Sequence, residues 1–127
     1  MEKGNISANS LNGLELAYLG DAVIELLARQ KALQSGISGV GKLNEAVAPF
    51  VRATGQSEAV SRIEGMLTEE EKSFYKRGRN SHGNTPKSAT AAEYRRATGF
   101  EALFAYLYLE GNEERMYELF EAAYLLK

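Results

Sequence analysis

The segment at residues 14–28, LELAYLGDAVIELLA, is the feature that most restricts what this chain can fold into. Its apolar residues recur at helical spacing on more than one face, which predicts a helix buried on several sides. Asp21 stands among them and is the only aspartate in the chain, beside sixteen glutamates. An ionised carboxylate in apolar surroundings is costly unless it is paired, hydrogen-bonded or bound to a metal. We therefore expect Asp21 to be buried and to have a function.

Gly20, directly before this aspartate, also needs an explanation. Glycine inside a helix costs roughly 1 kcal/mol relative to alanine, so it is usually kept where another backbone or a ligand comes close. The sequence therefore predicts a tightly packed site beside Asp21.

The rest of the chain predicts an all-α fold, because strand signals are weak and capped helical patterns cover most of its length. A chain of 127 residues with 44% hydrophobic residues is the size of one domain, which we assign to residues 1–127. The first predicted helix spans 11–34, with Asn9 or Ser10 as N-cap, and the second spans 42–64, with a kink or split at Pro49. A short third helix begins at the Thr68–Glu71 capping box and ends at Gly78 or Asn80. The fourth spans 91–109 and begins at a Thr90–Glu93 capping box, and the last spans 113–126.

Composition excludes several classes of protein. The chain has no cysteine, so neither disulfides nor thiolate metal sites can form. No apolar run approaches the roughly 20 residues of a membrane helix, and the N-terminus lacks an apolar signal core. We expect a soluble cytoplasmic protein with no membrane partner.

Charge is unevenly distributed along the chain. The net charge is −2 and the pI about 5.5, yet residues 72–96 alone carry +6. Cations and hydrogen-bond donors in a turn-rich loop suit phosphate contact, although such a run can also be a solvated face. The candidate phosphate-binding residues are Lys76, Arg77, Arg79, Asn80, Thr85 and Lys87. His82, in the same loop, is a candidate acid or base or an exposed bystander.

A second apolar helical segment, GFEALFAYLYL, contains one acid, Glu101. Carboxylates that project inward from two helices of a bundle commonly hold a divalent cation. A site with only oxygen ligands favours Mg²⁺ or Mn²⁺ over zinc. The alternative is that each acid caps a helix, pairs with Arg29 or Arg95, or lies at the edge of the core. Glu25 is an outer-shell candidate or a partner of Arg29.

These segments resemble the ribonuclease III catalytic domain. LAYLGDAVIEL matches that family's signature and FEALFAYLYLE its second catalytic helix. The runs KRGRN, TPK and YRRATGFE are similar to those of the Mini-ribonuclease III subfamily, in which this domain stands alone without a double-stranded-RNA-binding domain.

The resemblance implies an all-helical, two-fold homodimer that cuts double-stranded RNA with Mg²⁺ and matures the precursor of 23S ribosomal RNA. It implies that Asp21 and Glu101 are catalytic and bind the metal, and that Tyr18 fills a socket on the partner subunit at the dimer interface. A ribosomal protein that delivers the RNA is a further candidate partner.

Two acids of full-length ribonuclease III are missing, since Ala17 and Thr98 stand at their positions. Mini-ribonuclease III is similar at both. The same departure keeps an alternative open, namely a non-catalytic RNA-binding or ribosome-associated helical dimer of the same fold.

Overall fold

The computed structural model describes residues 6–81, 83, 87 and 89–126, and within them the chain is helical with no strand. The predicted all-α class is confirmed. Two short 3-10 turns, Ala8–Ser10 and Glu64–Met66, accompany the helices. The α-helices are α1 (Gly13–Gln34), α2 (Val40–Val51), α3 (Ala53–Ile63), α4 (Glu69–Arg79), α5 (Ala91–Leu109) and α6 (Glu113–Ala123).

Helix α5 forms the centre of the bundle, with α1, α3 and α4 packed around it. Ten of its residues are buried, and Phe100 and Phe104 are fully enclosed. This explains why α5 is almost entirely apolar between Ala97 and Leu107, because a helix surrounded by others has no solvated face over that stretch. The core therefore positions α5, and with it Glu101, against three neighbouring helices.

Helix starts follow the capping signals. Capping boxes open three of the helices, with Asn12 and Glu15 at α1, Thr68 and Glu71 at α4, and Thr90 and Glu93 at α5. The predicted starts of α4 and α5 are correct. The prediction of Asn9 or Ser10 as the first N-cap is wrong, because both residues belong to the 3-10 turn that precedes α1.

The predicted helix at 42–64 is divided into α2 and α3, but the break falls at Arg52 and not at Pro49. Arg52 is extended, with φ −78° and ψ 144°. The break frees the carbonyl of Phe50, which accepts hydrogen bonds from Gln56 Nε2 at 3.2 Å and Tyr124 Oη at 2.9 Å. These two bonds stabilise the break three residues beyond the proline.

The last helix ends at Ala123, three residues before the predicted end. Leu125 follows in the left-handed region at φ 56°, which stops the helical path. The predicted inner face is correct, since Met116, Leu119, Phe120 and Ala123 are all buried. Among the described residues, none of the helices has the length and hydropathy that crossing a bilayer requires.

Candidate active site

Asp21 of α1 and Glu101 of α5 meet where the two helices come closest. Gly20 makes this possible, because a Cβ at that position would overlap the backbone carbonyl of Glu101. From this glycine the sequence predicted that another backbone or a ligand comes close, and the structure shows the backbone of α5 there. The two carboxyl groups lie within hydrogen-bonding range of each other.

The pair shares a proton when no cation is present. Burial raises the pKa of Glu101 to about 9, and the negative charge of Asp21 and the hydrogen bond between them act in the same direction. Below this pKa the Glu101 carboxyl carries a proton that it can donate to Asp21. Two adjacent carboxyls that cannot both ionise are a site where a cation can replace the proton.

The donor set fits Mg²⁺ or Mn²⁺. Magnesium commonly uses one or two protein carboxylates and keeps several water ligands. Among the described residues no cluster of three or more histidine, cysteine or acidic groups could form a fuller cage. Ala17 and Thr98 are both buried, and the Thr98 hydroxyl donates to the Tyr94 carbonyl at 2.8 Å. The protein therefore offers two carboxylates here, which leaves room for water and phosphate oxygens.

The expectation that Asp21 is buried is wrong. It is exposed, and of the two acids Glu101 is the one that is partly buried. None of the helices that the structure describes covers the outward face of α1, so Leu14, Tyr18 and Leu26 are exposed as well. Helix α1 therefore has apolar residues on several faces, but only part of its surface is buried within the described structure.

Tyr18 is the most prominent residue of this face, with 86% of its surface exposed. It borders an open apolar depression of about 740 Å³ formed with the segment before α1. The residues that line the depression are Ile6, Ser10, Leu11, Asn12, Leu14, Glu15, Tyr18 and Leu19. An exposed apolar patch of this kind is typical of an interaction surface.

The basic candidates lie at the end of α4 and in the segment that follows it. Lys76 and Lys87 are exposed, and Arg79 Nε donates to Asn80 Oδ1 at 3.3 Å. Arg79 also lies over the Tyr75 ring, 5.7 Å from its centroid. Thr85 and His82 lie outside the described residues.

Arg77 is engaged within the protein and differs from its neighbours. Its guanidinium donates to the carbonyls of Ala8, Asn9 and Leu11 at 3.1–3.3 Å and lies 4.6 Å from the centroid of the Phe74 ring. These contacts favour a structural role, in which Arg77 fastens the segment before α1 to α4. Glu25 pairs with Arg29 at 3.3 Å, one of the two roles proposed for it.

Sequence reasoning missed a polar cavity of about 370 Å³ next to Glu101, between the α2–α3 junction and α5. Arg52, Thr54 and Gln56 contribute its polar wall on one side. No motif marks these residues, and only the nearby Pro49 signals an interrupted helix. The full lining is Val51, Arg52, Ala53, Thr54, Gln56, Tyr94, Ala97, Thr98 and Glu101.

Comparison with known proteins gives concordant results. The family model described as Ribonuclease III domain matches residues 14–112. Mini-ribonuclease 3 of Symbiobacterium thermophilum is 44% identical over 115 residues, which cover 90% of this chain and 88% of that protein. Mini-ribonuclease 3 of Streptococcus pneumoniae is 38% identical over 117 residues, covering 90% and 91%. A crystal structure of a Fusobacterium nucleatum protein superposes with a TM-score of 0.79 at 41% identity, covering 85% of this chain and 88% of that one.

Proposed function

This chain belongs to the ribonuclease III family and is an endoribonuclease of that type, and from this premise we propose that it cuts double-stranded RNA with a divalent cation held by Asp21 and Glu101. The observation that supports the proposal is the meeting of these two carboxyls across the α1–α5 contact.

Each acid has a distinct part. Asp21 is exposed and can reach a solvated cation and the substrate, whereas Glu101 is set deeper and is held in place by the core around α5. Glu101 releases its shared proton as the cation is taken up, since metal ligands must be deprotonated. When bound, Mg²⁺ or Mn²⁺ supplies an activated water and neutralises the charge that builds on the phosphate.

We further propose a two-fold homodimer formed through the face around Tyr18. This face is exposed and apolar and borders a depression that a tyrosine from a second copy can fill. A duplex presents two backbones across its minor groove. Two copies related by a two-fold axis would meet both, and each would cut one strand.

The end of α4 and the loop after it would contact the RNA phosphates that flank the cleavage point. We assign this contact to Lys76, Arg79, Asn80 and Lys87, together with Thr85. For Arg77 the internal contacts described above favour a structural role in place of the phosphate contact expected from sequence.

The natural substrate we propose is the precursor of 23S ribosomal RNA in the cytoplasm, with a ribosomal protein as a candidate partner in delivery. This rests on the resemblance to Mini-ribonuclease III alone.

The experiment is cleavage of a structured RNA duplex by the purified protein with Mg²⁺, compared with Asp21→Asn and Glu101→Gln. Both variants should lose cleavage, and both should lose the rise in melting temperature that Mg²⁺ gives the wild type. Glu25→Gln is the matched control, because it removes an acid one turn further along α1 that is paired with Arg29. It should cleave like the wild type.

A second candidate, the non-catalytic RNA-binding dimer, is favoured by the absence of acids at Ala17 and Thr98. If the wild type binds the duplex but leaves it as intact as the two variants do, this second function is the correct one.

A further inference from the structure

We propose that the cavity between the α2–α3 junction and α5 binds the RNA backbone next to the cleavage point, with Arg52 as its phosphate-binding residue. This inference rests on the proposed function, which assigns Glu101, a residue of the cavity wall, to the active site.

The cavity is continuous with the candidate active site. Glu101 and Thr98 of α5 form part of its wall, so a chain bound to the carboxylate pair extends into it. Its volume of about 370 Å³ falls within the range typical of small-ligand sites. Polar groups make up much of the lining, which suits a sugar-phosphate better than a stacked base.

Charge favours a phosphate at this position. The carboxylate pair repels an anionic backbone until its cation is bound, and a positive side chain beside it offsets that repulsion. Arg52 is the one basic side chain among the described residues that line the cavity. Its guanidinium can donate two parallel hydrogen bonds to phosphate oxygens, and the exposed Thr54 hydroxyl stands on the same wall.

Arg52 is free for such a contact, unlike other arginines in the bundle. Arg96 is held by Ser57, Ser61 and Glu64, and Arg115 is held by Glu71. The Arg52 side chain is exposed and has no hydrogen bond or ion pair with any part of the protein that the structure describes.

The backbone that carries Arg52 is firmly held. Gln56 is 1% exposed, and with Tyr124 it fixes the Phe50 carbonyl from two directions. Gly55 packs so closely on the Pro49 carbonyl that a Cβ would overlap it. Because the backbone of the junction is already fixed, only the Arg52 side chain has to be ordered when a phosphate binds.

The test measures kcat/KM for cleavage of a short RNA duplex and the dependence of duplex affinity on salt. Arg52→Gln should lower kcat/KM about tenfold, the usual effect of losing a charged hydrogen bond. The slope of log affinity against log salt concentration should become shallower by about one, which corresponds to the loss of one phosphate contact. Arg52→Lys should keep the salt slope and recover part of the activity.

Arg29→Gln is the matched control, since it removes one exposed arginine of α1 that does not line the cavity. It should stay within about twofold of the wild type. Thr54→Glu is a second, independent variant, because a negative charge on the same exposed wall should weaken cleavage even if Arg52→Gln does not fold.

The inference is overturned if Arg52→Gln and Thr54→Glu both match Arg29→Gln in kcat/KM and salt slope. In that case the proposed function still stands, provided that Asp21→Asn and Glu101→Gln lose cleavage. If the wild type cuts no duplex, the proposed function fails, and the salt slope of binding alone decides whether Arg52 contacts phosphate.

Discussion

Gly20 of α1 lies directly against the backbone carbonyl of Glu101 in α5. Asp21 follows Gly20 in the chain, so this contact places its carboxyl group beside the Glu101 side chain. The distance between the two helices thus controls the carboxylate pair. Stability and activity should respond together when this contact is changed.

Gly20→Ala should destabilise the protein and reduce cleavage. A Cβ would overlap the Glu101 carbonyl, and overpacking between rigid helices costs about 1 to 3 kcal/mol. Urea denaturation and a duplex-cleavage assay measure the two effects. Gly41→Ala in α2 is the control, because nothing lies within 4 Å of its Cβ. It should stabilise by about 0.5 to 1 kcal/mol. Equal behaviour of the two variants would contradict the role given to Gly20.

Without a cation, the protein should become less stable as pH rises from about 4.5 to about 9. The pKa of Glu101 is raised from 4.5 to about 9 in the folded chain. The folded state therefore holds a proton that the unfolded chain has released over this range, and stability falls with pH wherever that is true. The loss ends above the folded pKa.

Glu101→Gln tests this pH dependence. Urea denaturation at pH 5.5 and pH 8.5 with a chelator should show that the wild type loses more stability than the variant, by roughly 1 to 3 kcal/mol. Parallel losses in the two proteins would show that Glu101 does not hold the proton.

Arg77→Gln and Lys76→Gln should have opposite effects, although the residues are neighbours in α4. Arg77 donates to three carbonyls of the segment before α1, so its loss should cost about 1.5 to 3 kcal/mol of stability. Lys76 is exposed, so its loss should leave stability unchanged and lower the salt slope of RNA affinity by about one. Thermal unfolding measures the change in stability, and binding titrations at several salt concentrations measure the change in the salt slope. If Lys76→Gln lost stability and Arg77→Gln lowered the salt slope, the structural and RNA-binding roles given to these residues would be reversed.

Tyr18→Ala should shift the protein from dimer to monomer. The side chain is 86% exposed in the isolated chain, and large buried aromatics dominate the energy of interfaces. Sedimentation velocity over a range of concentrations measures the change. Val40→Ala, at an exposed apolar residue that begins α2, should leave the mass unchanged. A monomeric wild type would rule out the interface.

The sequence predicted the helical class and the starts of α4 and α5, because Thr68 and Thr90 carry capping boxes that act within one turn. A close approach at Gly20 was also predictable, although the glycine did not tell whether a backbone or a ligand makes it. These features were predictable because each depends on residues that lie within a few positions of one another in the sequence.

Other features depend on contacts that no local pattern encodes. The exposure of Asp21 could not be predicted, because an apolar stripe looks the same whether its own chain or a second copy covers it. Composition did not separate Arg77 from Lys76, whose difference depends on carbonyls 66–69 residues away. The break at Arg52 is likewise fixed by Tyr124, near the other end of the chain.

The separation of Asp21 from Glu101 along the chain has a consequence during synthesis. The first residue leaves the ribosome long before the second is made, and only the completed bundle joins them. On the proposed function, a nascent or truncated chain therefore has no complete site for a cation and cannot cut RNA until folding is finished.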